Sequence, residues 1–262
     1  MKILLKQMKK TLILGICTLL LNACGKDKNN AEPEPAKPVI TGQVVVHLHT
    51  YWDDVEIDLY GAEVQSANTS RKVNFGLSQF YLTNFEVVKA DGSIYKVKDT
   101  LLLKKENASY IIGNVPIGNY KSINFEVGID SLSNLKTNPV GTILNEPNMW
   151  LDKTSATSGY AGFVFEGKID TTADVSSEAN VSFNYKLSSS GTLAKVKMPE
   201  KAFSVTDKTP NYVHLIADYQ GFFNGIDLSN INNLTLVEKN AKSTDLGKKL
   251  LLNIPKMFKY EQ

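Results

Sequence analysis

The feature that most constrains the fold is a period-two alternation of apolar and polar residues, which recurs along most of the chain and is broken by turn residues. In residues 43–51, Val44 and Val46 fall on one side, whereas His47 and His49 fall on the other. Successive side chains of a β-strand point to opposite faces, so this pattern predicts half-buried strands. Comparable segments are residues 80–90, 94–97, 108–113, 120–129, 160–166, 181–187, 193–198 and 212–219.

At least eight such strands, with no strongly amphipathic helix between them, predict an all-β fold, an antiparallel β-sandwich with long loops. The pair Asp91-Gly92 predicts a type I′ hairpin between two of the strands. Residues 131–158 lack periodicity and predict a long loop. One short C-terminal helix is predicted over residues 244–253, with Ser243 or Thr244 as its N-cap.

The N-terminus has the three parts of a secretory signal. Lysines precede an apolar run over residues 11–21, and Leu21-Asn22-Ala23-Cys24 follows. A run of this length is too short for a stable helix across ~30 Å of hydrocarbon. Because the final four residues resemble a bacterial lipobox, we expect a signal peptide over residues 1–23 and lipid on Cys24.

The residues after Cys24 are polar and charged, and they include three prolines between positions 25 and 40. Such a composition cannot bury a core, so residues 24–42 are interpreted as a flexible tether and residues 43–262 as a single domain. Residue 25 is glycine rather than the aspartate associated with inner-membrane retention. We therefore expect a lipid anchor in the outer membrane, with the domain on the periplasmic or the cell-surface side.

Charge and cysteine content exclude several classes of function. Removing residues 1–23 takes away four lysines and no acid, which leaves 25 Lys and Arg against 27 Asp and Glu, a net charge of −2. Nucleic-acid binding rests on clustered positive charge and is not expected. With Cys17 removed and Cys24 acylated, no thiol is left for catalysis, a disulfide or a metal.

Catalytic motifs are missing from the sequence. It contains no HExxH, CxxC, GxSxG or GxGxxG. Residues 162–168, GFVFEGK, match the start of a P-loop formally, but their apolar residues predict a buried strand, and Ile169 replaces the Ser or Thr that would bind magnesium. We therefore expect no enzyme and no nucleotide partner.

The three histidines, His47, His49 and His214, suggest a metal site. His47 and His49, at i and i+2 on one face of a strand and ~7 Å apart, can share a metal ion. His214 becomes a third ligand if its strand lies near the first, and Met149 adds a thioether that favours Cu(I). The alternative is that these are surface or interface histidines without any ligand role.

The order of several motifs resembles the MbnP-type (methanobactin-associated) copper-binding protein family, which has many lipoprotein members. The matching pieces, spread over about 180 residues, are His49 with Trp52-Asp53, LSQFYLTN (77–84), Asp91-Gly92, VPIGNY (115–120), FEVGID (125–130) with Asn134, Met149-Trp150, Gly159-Tyr160, FEG (165–167), FNY (183–185) and VHLIAD (213–218) ahead of Phe222-Phe223.

The resemblance implies a secreted, copper-binding β-sandwich. His49 falls where many members have histidine, and Trp150 falls in the loop where a tryptophan is oxidised to kynurenine in some members, with a di-haem cytochrome c peroxidase-type protein as partner. The chain departs from the family pattern at Lys186, where a histidine is common. It also lacks a second loop tryptophan near Trp150 and the histidine-containing tail of some relatives.

Two functions follow. The first is a non-enzymatic outer-membrane lipoprotein that binds or buffers copper through His49 with His47 or His214, and with Met149. The second is a cell-surface recognition module for a protein or a glycan that has lost the metal site. The second requires Trp52, Trp150 and Tyr160 to be exposed together and the histidines to be scattered.

Overall fold

The computed structural model describes residues 38–57, 61–66, 70–98, 100–105, 107–172, 174, 176–208 and 210–261. The predicted signal peptide, Cys24 and most of the predicted tether lie outside these residues. The compact unit runs from Ile40 to Gln262, and its first strand begins at Thr41, two residues before the predicted start of the domain. Among the described residues, no helix is long and apolar enough to span a bilayer.

The described part of the chain contains seventeen strands and two α-helices. The strands are β1 (Thr41–Trp52), β2 (Val55–Glu56), β3 (Val64–Gln65), β4 (Lys72–Lys89), β5 (Ile94–Lys96), β6 (Thr100–Leu103), β7 (Ser109–Pro116), β8 (Gly118–Val127), β9 (Trp150–Asp152), β10 (Ser155–Tyr160), β11 (Phe163–Ile169), β12 (Val181–Leu187), β13 (Ala194–Lys197), β14 (Phe203–Val205), β15 (Asn211–Asp218), β16 (Thr235–Glu238) and β17 (Phe258–Tyr260). The helices are α1 (Ser131–Asn134) and α2 (Asp245–Asn253).

These strands form the predicted sandwich. One sheet has the order β17-β15-β1-β2, with β7 also paired to β1. The other has ten strands in the order β13-β8-β4-β11-β12-β16, with β14 on β8 and with β3, β5 and β6 on β4. The all-β sandwich prediction is confirmed, but two of the pairings, β1 with β15 and β12 with β16, are parallel rather than antiparallel.

An apolar core lies between the two sheets. Alternate residues of β1, such as Val44 and Val46, face Phe80 and Leu82 of β4 and the aromatic residues of β11 within this core. The opposite face of the ten-stranded sheet carries a second, smaller apolar cluster, which includes Tyr81. In the ten-stranded sheet, alternate residues are therefore apolar on both faces, because each face is covered over part of its area.

The turns differ from the sequence prediction at Asp91-Gly92. The amide of Gly92 donates to the Lys89 carbonyl, and Gly92 has φ +89, whereas Asp91 is not among the residues with positive φ. A type I′ turn needs positive φ at both central residues, so that prediction was wrong. The chain instead makes a longer turn that places glycine alone in the left-handed region, and the Asp91 carboxylate accepts from the Ser93 amide at 2.9 Å.

The remaining elements test the helix and loop predictions. The predicted C-terminal helix is confirmed as α2, with the Thr244 hydroxyl accepting from the Gly247 amide at 3.0 Å as its N-cap. Residues 131–158 are more ordered than the predicted long loop, because they contain α1, β9 and most of β10. The strands β9 and β10 pair as a small separate sheet that covers the second apolar cluster.

Candidate metal centre

The three histidines meet on the outer face of the five-stranded sheet. β1 and β15 pair in parallel, and the register places His47 directly beside His214. Because Val46 and Leu48 of β1 point into the core, the alternation turns His47 and His49 outward. The same alternation in β15 buries its core-facing neighbours and turns His214 outward.

The distances within this histidine cluster, His47, His49 and His214, are short. The ring centroids are 4.6 Å apart for His47 and His49, 5.1 Å for His47 and His214, and 6.2 Å for His49 and His214. One nitrogen from each ring can be chosen so that all three lie within 4.8 Å of one another. Metal–nitrogen bonds of about 2.0–2.1 Å set tetrahedral ligands about 3.3 Å apart, so closure around an ion requires ring movements of roughly 1 Å.

Two of the rings are oriented by oxygen partners on neighbouring strands. The Ser109 hydroxyl on β7 lies 2.8 Å from His47 Nδ1, and the Glu56 carboxylate on β2 lies 2.7 Å from His49 Nδ1. A partner on one ring nitrogen fixes the ring and leaves the other nitrogen as the metal donor. In both rings Nε2 is therefore the nitrogen available as a metal donor.

The carboxylate of Glu261, near the end of the chain, lies beside one ring nitrogen of His214 and one of His49. Glu261 Oε2 is 3.1 Å from His214 Nδ1, and Glu261 Oε1 is 3.8 Å from His49 Nε2. Ser109, Glu56 and Glu261 were all missed by the sequence analysis. Ser109 is the first residue of β7, Glu56 lies on a two-residue strand and Glu261 follows a three-residue strand, so none of them stands out in a periodic pattern. Only the tertiary pairing brings them to the histidines.

The electrostatic environment favours an uncharged imidazole at His47. Partial burial lowers the pKa of His47 below 6.5, the neighbouring His49 and His214 lower it further, and Glu261 and Glu56 oppose the shift. A metal ligand must carry a free lone pair, so an imidazole that resists protonation is better prepared to bind an ion.

Met149 and Trp150 lie elsewhere in the molecule. Met149 is fully buried in the second apolar cluster, on the outer face of the ten-stranded sheet. The histidine cluster is on the outer face of the other sheet, and two packed sheets are ~10 Å apart. The structure thus brings together His47, His49 and His214 and does not bring Met149 to them. The partly buried Trp150 donates from its indole nitrogen to the Leu144 carbonyl at 3.0 Å.

The aromatic residues required by the recognition hypothesis are not exposed together. Trp52 is 1% exposed in the main core, and Tyr160 is fully buried in the second cluster. The histidines, which that hypothesis requires to be scattered, are clustered. Both observations count against a recognition surface built around Trp150.

Comparison with known proteins assigns the family. The family model for MbnP matches residues 41–239, about three quarters of the chain. The chain belongs to the MbnP family. Among solved structures, MbnP from Methylosinus trichosporium matches with a TM-score of 0.51 and 16% identity, over 72% of this chain and 80% of that one. At this identity the match shows a shared fold. No curated protein matches the chain.

Lys186, where the sequence analysis expects a departure from the family pattern, is a buried cation in this MbnP-family chain. Lys186 on β12 is 5% exposed, and its Nζ donates to the Trp150 carbonyl at 3.1 Å. Its other neighbour is Glu166, whose Oε1 is 3.9 Å away. Burial lowers the pKa of Lys186, and Glu166 opposes that shift. The lysine therefore holds the Trp150 strand against the ten-stranded sheet.

Proposed function

We propose that this MbnP-family protein binds copper at the histidine cluster and buffers or carries it, without catalysing a reaction. One observation carries the proposal: three imidazoles from two paired strands present one nitrogen each within 4.8 Å. A metal ion shared by all three rings would account for this placement, because imidazole nitrogens at such distances can bind one ion.

The donor chemistry supports copper among the metals that imidazole binds. Nitrogen ligands suit Cu, Zn, Ni and Fe, and for a given site the divalent affinity is highest for copper. The resemblance to copper-binding members of the family points to the same metal. In this chain the residues would hold the ion through His47 Nε2, His49 Nε2 and one nitrogen of His214, while Ser109 and Glu56 keep two of the rings in place.

Copper titration of the purified protein tests the proposal. We expect one ion per chain, bound more tightly than about 10 μM, and a loss of at least ~10-fold in the His49→Ala variant because one of three ligands is gone. The matched control is Tyr212→Phe, which removes only a hydroxyl from an exposed ring beside the cluster. Binding weaker than about 10 μM, or equal affinity in His49→Ala and the parent, would contradict copper binding here.

We also propose that the domain is held at the outer membrane by lipid on Cys24. The support is the sequence order of basic residues, apolar run and lipobox-like end in residues 1–24. Cells fed a labelled fatty acid should transfer the label to the parent chain and not to Cys24→Ser, and the variant should leave the membrane fraction. An unlabelled parent chain would exclude this anchor.

The family resemblance supplies a further proposed partner, a di-haem cytochrome c peroxidase-type protein acting on Trp150. In the structure the indole of Trp150 is only partly covered. Peptide mass mapping of protein made with and without such a partner would show whether Trp150 is converted. An unchanged Trp150 mass in both samples would reject this part of the proposal.

A further inference from the structure

The C-terminal strand delivers a carboxylate to the histidine cluster. β17 pairs antiparallel with β15, with Tyr260 opposite Leu215. One residue further along, the Glu261 amide donates to the His214 carbonyl at 3.2 Å, so Glu261 lies opposite His214. Directly opposed residues on antiparallel strands project to the same face, which puts the Glu261 side chain on the histidine side.

The backbone around Glu261 is anchored on both sides. The ammonium of Lys201 donates to the Glu261 carbonyl, and the Tyr260 hydroxyl accepts from the Ile123 amide at 3.1 Å. Phe258, at the start of β17, is buried in the main core. The carboxylate is therefore presented by a fixed strand, even though it is the penultimate residue of the chain.

The carboxylate distances match those between ligands of one ion. Its oxygens are 3.1 Å from His214 Nδ1 and 3.8 Å from His49 Nε2. These values lie on either side of the ~3.3 Å separation of two ligands in a tetrahedral site. Glu56 differs because it contacts one ring, at Nδ1 of His49, whereas the Glu261 carboxylate lies beside nitrogens of two rings, His214 Nδ1 and His49 Nε2.

We infer that Glu261 is the fourth ligand of the site, and that the resulting three-nitrogen, one-oxygen donor set selects Cu(II) over Cu(I). This inference rests on the proposed copper binding. A carboxylate is a hard anionic ligand and stabilises the higher charge of the cupric ion, whereas Cu(I) prefers sulfur. The thioether of Met149 is buried in the second apolar cluster and supplies no soft ligand to the histidines.

The test compares both oxidation states of copper in the parent and in Glu261→Gln, which keeps the side-chain size and removes the charge. We expect the Cu(II) dissociation constant to rise about 10- to 100-fold and the Cu(I) constant to change less than about 3-fold. The reduction potential of bound copper should then rise by about 59 mV for each tenfold loss of Cu(II) affinity alone. The cupric electron paramagnetic resonance spectrum should change as the ligand oxygen is lost.

The control variant is Glu63→Gln, a carboxylate paired with Lys72 of the ten-stranded sheet, and it should leave both constants unchanged. Equal weakening of both oxidation states in Glu261→Gln, or no weakening of either, would overturn the inference. If His49→Ala still loses copper in that case, the proposed copper site stands without Glu261. If the parent binds neither oxidation state, the proposed function itself has failed.

Discussion

The double variant His47→Ala/His214→Ala is expected to bind copper at least about 10³-fold more weakly than the parent, a loss of about 4 kcal/mol in binding free energy. The two residues lie side by side on paired strands, with ring centroids 5.1 Å apart. After the first ligand binds, each further one binds intramolecularly and gains an effective concentration. Removing both leaves His49 as the one imidazole of the cluster, with the Glu261 carboxylate beside it, and so removes most of this chelation. Competition against a copper chelator of known affinity would measure the change.

Stability measurements separate this effect from misfolding. Both side chains are on the outer face of the sheet and outside the main core, so the double variant should unfold within about 1 kcal/mol of the parent. A double variant that keeps copper affinity within tenfold of the parent, while remaining folded, would show that the ion binds elsewhere.

The Phe165→Ala variant is expected to lower the free energy of unfolding by about 3–5 kcal/mol. Phe165 is fully buried at the centre of the core, and its ring centroid is 4.5 Å from those of both Phe163 and Tyr219 and 5.2 Å from that of Phe222. Truncation removes these contacts and opens a cavity that the surrounding rings fill only partly. Urea denaturation at constant pH would measure the loss.

The matched control for this prediction is Leu252→Ala on α2, because the Leu252 side chain is 72% exposed. Its unfolding free energy should stay within about 0.5 kcal/mol of the parent. If Phe165→Ala costs no more than Leu252→Ala, the aromatic core does not have the packing described for it.

The sequence was informative where side chains alternate over a long strand. In β1 the alternation correctly separated the core-facing valines from His47 and His49, and in β15 it placed His214 on the matching face. The two candidate capping residues, Ser243 and Thr244, likewise marked the start of α2, where Thr244 is the N-cap. These features are local, so each can be read from a few consecutive residues.

Pairing between distant strands could not be predicted in this way. β1 and β15 are separated by most of the domain, and nothing in either segment specifies a parallel pairing with His47 beside His214. The predicted spacing of ~7 Å between His47 and His49 follows from strand geometry alone. The observed ring separation of 4.6 Å also depends on rotamers fixed by Ser109 and Glu56.

The contribution of Glu261 to the site also could not be predicted from the sequence. β17 has only three residues, too few for a recognisable alternation, and Glu261 gains its role from pairing with β15. The buried position of Lys186 is similar, because its cation is accommodated by the carbonyl of Trp150 on another small sheet. Such contacts depend on tertiary packing that no local pattern encodes.

Anomalous diffraction at the copper edge, from crystals of the copper-loaded protein, would locate the bound ion. We expect one strong peak on the outer face of the five-stranded sheet, about 2.0–2.1 Å from nitrogens of His47, His49 and His214. A peak beside Met149 and Trp150, on the outer face of the ten-stranded sheet, with none at the histidines, would contradict copper binding at the histidine cluster.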